Sequence, residues 1–221
     1  MKQDQYVSRL ENVIRQMIKP LKDIPLNLVI ESLTNHKIIP FNPNDENDKE
    51  ILSDLTKAAQ IAGSNINRNG IARKRPNEVG NDIEPFVKQA LITLGYKAST
   101  PITTEGKRKA TGYPDIEFID KFGRKSYLEC KTYNIETIST TLRAFYMSPS
   151  KESKITTDAH HLVISFEIYV DGRVGNKNIY RCKKWKILSI EDLSVDVKYE
   201  FNSDNRRLYS TEMILAEGAL E

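Results

Sequence analysis

The stretch from Tyr113 to Tyr133 can fold in few ways. Tyr113-Pro114-Asp115-Ile116-Glu117-Phe118-Ile119 is rich in aromatic and β-branched residues and stops at Asp120-Lys121-Phe122-Gly123, where glycine permits a positive-φ turn. A second run of strand character, Ser126-Tyr127-Leu128-Glu129-Cys130-Lys131-Thr132-Tyr133, follows directly. The two are therefore expected to pair as an antiparallel hairpin. Side chains alternate along a strand, so Glu129 and Lys131 share one face while Leu128 and Cys130 share the other. Pro114 lacks an N–H and fixes φ, which suits the mouth of the first strand and leaves Asp115 facing a cleft between diverging strands.

Two carboxylates and a lysine converging in this way form a centre suited to phosphodiester chemistry. Mg²⁺ takes one or two carboxylates together with waters and phosphate oxygens, so Asp115, Glu129 and the carbonyl of Cys130 are the expected metal donors. A cation held there polarises the phosphate and activates water. Lys131 is placed to orient that water and to offset charge developing on phosphorus. The acid-x-lysine triplet alone is weak, since it recurs at Glu105-Gly106-Lys107, Glu152-Ser153-Lys154 and Asp196-Val197-Lys198. The first two lie in polar, loop-like runs, and the third lies on a strand-like stretch with no partner Pro-Asp strand. The competing reading of Glu129 and Lys131 is a surface salt-bridge ladder.

With Pro114-Asp115 as the first half of a signature and Glu129-Cys130-Lys131 as the second, residues 80 to 170 resemble the PD-(D/E)xK nuclease superfamily. The resemblance implies a restriction-endonuclease-like core, a mixed α/β fold with a central mixed sheet flanked by helices. It also implies a helix before the Pro-Asp strand, often carrying a further acid. Gly80-Asn81-Asp82-Ile83-Glu84-Pro85-Phe86-Val87 opens such a helix, and Glu84 is the matching acid. Ile83, Val87, Ala90, Leu91 and Leu94 form its apolar stripe, with Pro85 expected in the first turn and Gly95 as the cap. Glu84 has a second reading, as an acid that favours a helix N-terminus.

The chain has 221 residues, 39% hydrophobic and 29% charged, which is ordinary for one sizeable globular domain with an appendage. Cys130 and Cys182 are its two cysteines, and they form no Cys-x-x-Cys. No signal-like or membrane-length apolar segment is evident, so a reducing cytoplasm is expected. His36, His160 and His161 lack the cysteine framework of a zinc site, and His160-His161 reads as the start of a strand.

A net charge of +3 is too small to identify a nucleic-acid binder, but the basic residues are grouped. Arg68, Arg73, Lys74 and Arg75 precede the core helix, and Lys107, Arg108 and Lys109 lead into Pro114-Asp115. Arg143, Lys151 and Lys154 lie between the catalytic strand and the next, in a segment expected to enter a DNA groove. A weaker cluster, Arg181, Lys183, Lys184 and Lys186, surrounds Trp185. Each group also has the reading of a solvated face.

Residues 1–75 read as an N-terminal helical region serving as an arm, a dimerisation element or a DNA contact, and 76–221 as the nuclease core with a strand-rich C-terminal part. Tyr6, Leu10, Val13, Ile14, Met17 and Ile18 recur at helical spacing, with Pro20 and Pro25 as breaks. Leu26 to Leu33 is a second short helix. A third runs from Ile51 to Ala62 and is expected to stop at Gly63-Ser64. After the hairpin, Glu136 to Met147 is expected to form a crossover helix bearing Ile138, Leu142 and Phe145. Leu162 to Val170, Asn178 to Ile190 and Asp196 to Phe201 are expected strands, with a turn at Asp171-Gly172.

The resemblance implies a DNA endonuclease that cuts double-stranded DNA with Mg²⁺, for which Mn²⁺ substitutes, and without a nucleotide cofactor. A compact chain without a partner-domain signature looks most like a type II restriction endonuclease, expected as a homodimer because symmetric cutting needs two centres about a two-fold axis. Two alternatives stay open at this point. One is a structure-specific repair or recombination nuclease of junction-resolvase type, and the other a non-catalytic DNA-binding module that retains the fold.

Overall fold

The computed structural model describes every residue except Met1, Ile18, Pro20, Thr137, Leu142, 199–203, Tyr209, 211–212 and 215–221. In chain order the elements are α1 (Lys2–Met17), β1 (Ile24–Pro25), α2 (Leu26–Thr34), α3 (Glu46–Asn69), β2 (Ile71–Arg73), a 3₁₀ turn (Pro76–Glu78), α4 (Gly80–Thr93), β3 (Lys97–Ser99), β4 (Ile116–Ile119), β5 (Lys125–Tyr133), β6 (His160–Val174), β7 (Lys177–Ser189), β8 (Ser194–Val195) and α5 (Asn205–Leu208). They fall into two compact units, one of residues 1–24 with 194–221 and one of residues 25–193. Among the described residues no helix is long and apolar enough to cross a membrane.

The larger unit is a mixed α/β fold built on a six-stranded sheet in the order β2-β7-β6-β5-β4-β3. β5 and β6 run parallel, and the other neighbours are antiparallel. The expected hairpin forms as β4 and β5, with Ile116 opposite Leu128 and Ile119 opposite Lys125, and Gly123 takes φ 80° in its turn. Helices α3 and α4 cover one face. Ile51, Leu55, Ala58, Ala62 and Ile66 of α3 and Ile83, Val87 and Leu91 of α4 are buried against Phe118, Leu128, Cys130, Ile164 and Phe166 of the sheet. The hydrophobic stripe read from each helix is thus the face that removes apolar area from water.

Several boundaries differ from their sequence expectation. α3 does not stop at Gly63-Ser64 but runs to Asn69. Gly63 lies inside it, where an added Cβ would sit 3.4 Å from the Phe166 ring, so this glycine serves close helix-to-sheet approach. The stop is Gly70 at φ 70°, whose N–H donates to the Ile66 carbonyl at 2.7 Å. The polar run that follows supplies an edge strand, β2. α4 begins at Gly80, so Pro85 falls in the second turn rather than the first.

No crossover helix forms between β5 and β6 among the described residues 134–159. The run is rich in Ser and Thr and holds Pro149, a composition that disfavours helix, and its expected apolar residue Leu142 lies outside the described residues. Asp171-Gly172 is not a turn but part of β6, which continues through a bulge to Val174, and the chain reverses at Gly175 with φ 59°. Of the strand expected over Asp196 to Phe201, the described residues 196–198 are not strand, the two-residue β8 lying just before them at Ser194–Val195, and 199–201 lie outside the described residues. Ile18 and Pro20 also lie outside them.

A buried polar hub ties α3 to the hairpin and to β6. Asp48, 3% exposed, accepts from the Asn42 N–H at 2.8 Å and from Arg124 Nη1 at 2.9 Å, and lies 3.2 Å from His160 Nε2. Burial opposes its charge, but these donors hold its carboxyl below the ordinary value. Arg124 also donates to Asp120 in the hairpin turn at 2.7 Å. In the smaller unit the Val197 N–H donates to the Leu21 carbonyl and the Asp23 N–H to Asp196. The apolar stripe of α1, Tyr6, Leu10, Val13 and Met17, is exposed.

Candidate active site

Asp115 enters the site from the last residue before β4, held there by the strand that follows it. Its Oδ2 accepts the Cys130 N–H at 2.8 Å, which pins it to the middle of β5. Glu129, one residue earlier on β5, is 5% exposed, and Lys131 Nζ donates to its Oε1 at 2.7 Å. The strand's period of two, which sends Cys130 into the core, is what places this acid and this lysine together.

The second carboxylate oxygen, Glu129 Oε2, is buried and has no hydrogen-bond partner. An orphan anionic oxygen in such a place costs free energy unless a proton or a cation meets it. Burial, reinforced by the neighbouring Asp115 charge and only partly offset by Lys131, pushes the Glu129 carboxyl up to about 7. Burial also raises Asp115, with the charge of Glu84 adding to the rise, against the Cys130 N–H and the Lys131 charge. A buried and a half-buried carboxylate that each resist ionisation, with one oxygen unfilled, match the donor set of a hard divalent cation. Such a cation would take the place of the proton.

Glu84 reaches the same neighbourhood from the first turns of α4. Its carboxylate is 3.1 Å from Lys88 Nζ, one helical turn on. Lys88 also donates to the Thr100 hydroxyl at 3.0 Å. Each of the three acids thus has a lysine nearby: Lys88 beside Glu84, Lys131 beside Glu129, and Lys154 close enough to feel the charges of Asp115, Glu129 and Glu84.

Lys154 is where the structure departs most from the sequence reading. Expected in a DNA groove, it is 4% exposed, and its ammonium donates to the carbonyls of Gly112 at 2.6 Å and Pro114 at 2.9 Å. In this fold it is not offered to a phosphate. Beside it, the Tyr113 hydroxyl lies 2.6 Å from His161 Nδ1, and the Tyr113 and Tyr127 rings pack on that imidazole. Neither this pairing of Lys154 nor the Tyr113 and His161 pair carried a sequence signal, because their partners lie 40 or more residues away.

The remaining basic candidates are at the surface. Arg68 is exposed in the last turn of α3, beside a cavity of about 390 Å³ that Asn65, Pro85 and Phe86 also line. Arg73 is exposed on β2, with its guanidinium engaged by both oxygens of Asp82 at 2.6 Å, and Lys74 and Arg75 follow it, exposed. Lys107 pairs with Glu105, and Arg108 and Lys109 are exposed. Arg143 stacks over the Tyr146 ring at 4.7 Å, and Lys151 is exposed. Lys109, Gly112, Tyr113, Tyr146 and Lys154 line one cavity of about 280 Å³, so the loop before the Pro-Asp turn and the loop after β5 meet beside Asp115.

The family model for the type II restriction enzyme MjaV family matches residues 20–212. A relative from Methanocaldococcus jannaschii (strain ATCC 43067 / DSM 2661 / JAL-1 / JCM 10045 / NBRC 100440), described as type II restriction enzyme MjaV, is 39% identical over 231 residues, covering 98% of this chain and 98% of its own. No solved structure matches the chain.

Proposed function

The chain belongs to the type II restriction enzyme MjaV family, and we propose that it is a Mg²⁺-dependent endonuclease that hydrolyses double-stranded DNA at a specific sequence through Asp115, Glu129 and Lys131. The observation that carries this reading is the buried, unpartnered Glu129 Oε2 beside Asp115, with Lys131 on the other oxygen. Asp115 and Glu129 would hold the cation, with the Cys130 carbonyl as a third donor, and Mn²⁺ would substitute. When bound, Mg²⁺ polarises the scissile phosphate and lowers the pKa of a coordinated water.

The protein's own part is positioning and charge. Lys131, anchored on Glu129, is directed to the attacking water and to the phosphate oxygens, where its charge offsets the one that develops on phosphorus. Glu84 borders the pair from α4, and its bond to Lys88 fixes the carboxylate while limiting repulsion with Asp115. Arg75 and Arg143, with Arg68 and Arg73, are the candidates for guanine readout, because a planar guanidinium matches two acceptors at once. Lys74, Lys107, Arg108, Lys109 and Lys151 supply phosphate contacts. A true reader loses its preference for the recognised duplex over a scrambled one when changed to alanine.

Two copies of the chain would supply the two centres that a symmetric double-strand cut needs. The test is digestion of plasmid and phage DNA with the purified chain in Mg²⁺, followed by sequencing of the ends. Ends placed symmetrically about one short palindrome are expected. Ends scattered without a common sequence would remove specificity, and asymmetric ends at one sequence would remove the two-fold arrangement.

A further inference from the structure

Asp115, whose carboxylate is pinned to β5 by the Cys130 N–H, follows a turn whose own carbonyls the sheet does not hold. β4 begins only at Ile116, so the carbonyls of Gly112 and Pro114 have no partner in its ladder with β5. Both are instead taken by one side chain from a distant loop, the Lys154 ammonium, at 2.6 and 2.9 Å. Between them Tyr113 is buried and reaches His161 on β6. The turn is thereby fixed at three points, two of them Lys154.

A lysine 4% exposed is costly to keep charged unless anions and acceptors surround it. Burial pulls the Lys154 ammonium below the ordinary lysine value, the charges of Asp115, Glu129 and Glu84 oppose that pull, and two carbonyls accept its protons. The buried ammonium and these carboxylates therefore act on one another, which places Lys154 within the electrostatics of the centre without exposing it to DNA.

We propose that Lys154 is a positioning residue, whose ammonium clamps the carbonyls on either side of Tyr113 so that Asp115 faces Glu129 before cation or DNA binds. The inference rests on the reading of Asp115 and Glu129 as the catalytic pair. Positioning of this kind acts on the rate at saturation, because small displacements of a reacting group cost large factors while leaving duplex contacts intact.

The test compares full-length Lys154→Met, which keeps length and loses both charge and donors, with the wild-type chain. Single-turnover cleavage at saturating duplex in Mg²⁺ is expected to fall about 100-fold, while duplex affinity in Ca²⁺ stays within about threefold. Hydrogen–deuterium exchange without metal is expected to quicken in residues 110–117 and not in α3. A loss of affinity with an unchanged saturated rate would make Lys154 a phosphate contact and overturn the proposal. Exchange that rises uniformly, or a rate near wild type, would overturn it as well.

Should Lys154→Met fail to fold, Lys154→Arg decides, since it keeps the charge and two donors. A rate within about tenfold of wild type supports the clamp, and a loss of about 100-fold in a folded arginine variant overturns it. Asp115→Asn is carried in parallel. If that variant cuts at the wild-type rate, the catalytic reading itself has failed, whatever Lys154 does.

Discussion

At the residue scale, the site is a set of buried charges that hold one another in place, and the neighbouring His161 shows what burial does to a group without a counter-ion. Burial, with His160 adding to it, pulls the His161 imidazole down to about 3. It is therefore neutral in the fold and charges readily only in the unfolded chain, near pH 6.5. Its contribution to stability is present above that pH and is lost as pH falls toward 3. The wild-type chain is expected to lose about 2 kcal/mol more than His161→Leu between about pH 6.5 and 4.5. Denaturant unfolding at several pH values reads this, and equal slopes for the two proteins would contradict it. Asp115, Glu129 and Lys131 were legible in the sequence because a turn and a period of two fix their relations locally. Lys154 was not, since the carbonyls it binds are 40 and 42 residues away and belong to backbone that any sequence would supply.

At the element scale, the same contrast separates what was read from what was not. The hairpin of β4 and β5 follows from alternation and Gly123. The start of α3 does not: the apolar run points to Ile51, but the helix begins at Glu46, capped by Asp45, whose side chain accepts the N–H groups of Asn47 and Asp48. The end of α3 did not follow, because Gly63 reads as a stop until Phe166 is seen against it. The real stop is Gly70, where an added Cβ would lie 2.4 Å from Ile179 Cγ2 at φ 70°. Gly70→Ala is thus expected to cost about 1 to 3 kcal/mol, through backbone strain and a clash with a stiff β-branched side chain. Gly106→Ala has a similar φ of 77° but open space, and is expected to cost only about 1 kcal/mol. Thermal unfolding of the two variants distinguishes them, and an equal cost would show that the contact of α3 with β7 gives way freely. Where a crossover helix is expected, the described residues of 134–159 form none. A parallel pairing of β5 with β6 requires a long connection, but here it is made by a loop whose Lys154 returns to the Pro-Asp turn.

At the scale of the whole molecule, β5 carries Glu129, and Asp115 stands at the mouth of β4, where Lys154 of the 134–159 loop binds the preceding turn. Arg68, Arg73, Lys74 and Arg75 are exposed on α3, β2 and the chain that follows, while Lys107, Arg108 and Lys109 are exposed on the loop before β4. Composition alone gave no such arrangement, because a net charge of +3 hides the grouping. The central claim is that the Asp115 and Glu129 carboxylates hydrolyse DNA by holding a divalent cation. Its most direct test is single-turnover cleavage by Glu129→Gln in saturating Mg²⁺, with duplex binding measured without metal on the same preparation. Cleavage is expected to fall about a thousandfold or more while binding is kept or tightened, because a charge that repels phosphate is gone and the cation has lost its buried donor. Near-normal cutting by a folded Glu129→Gln variant would contradict the assignment.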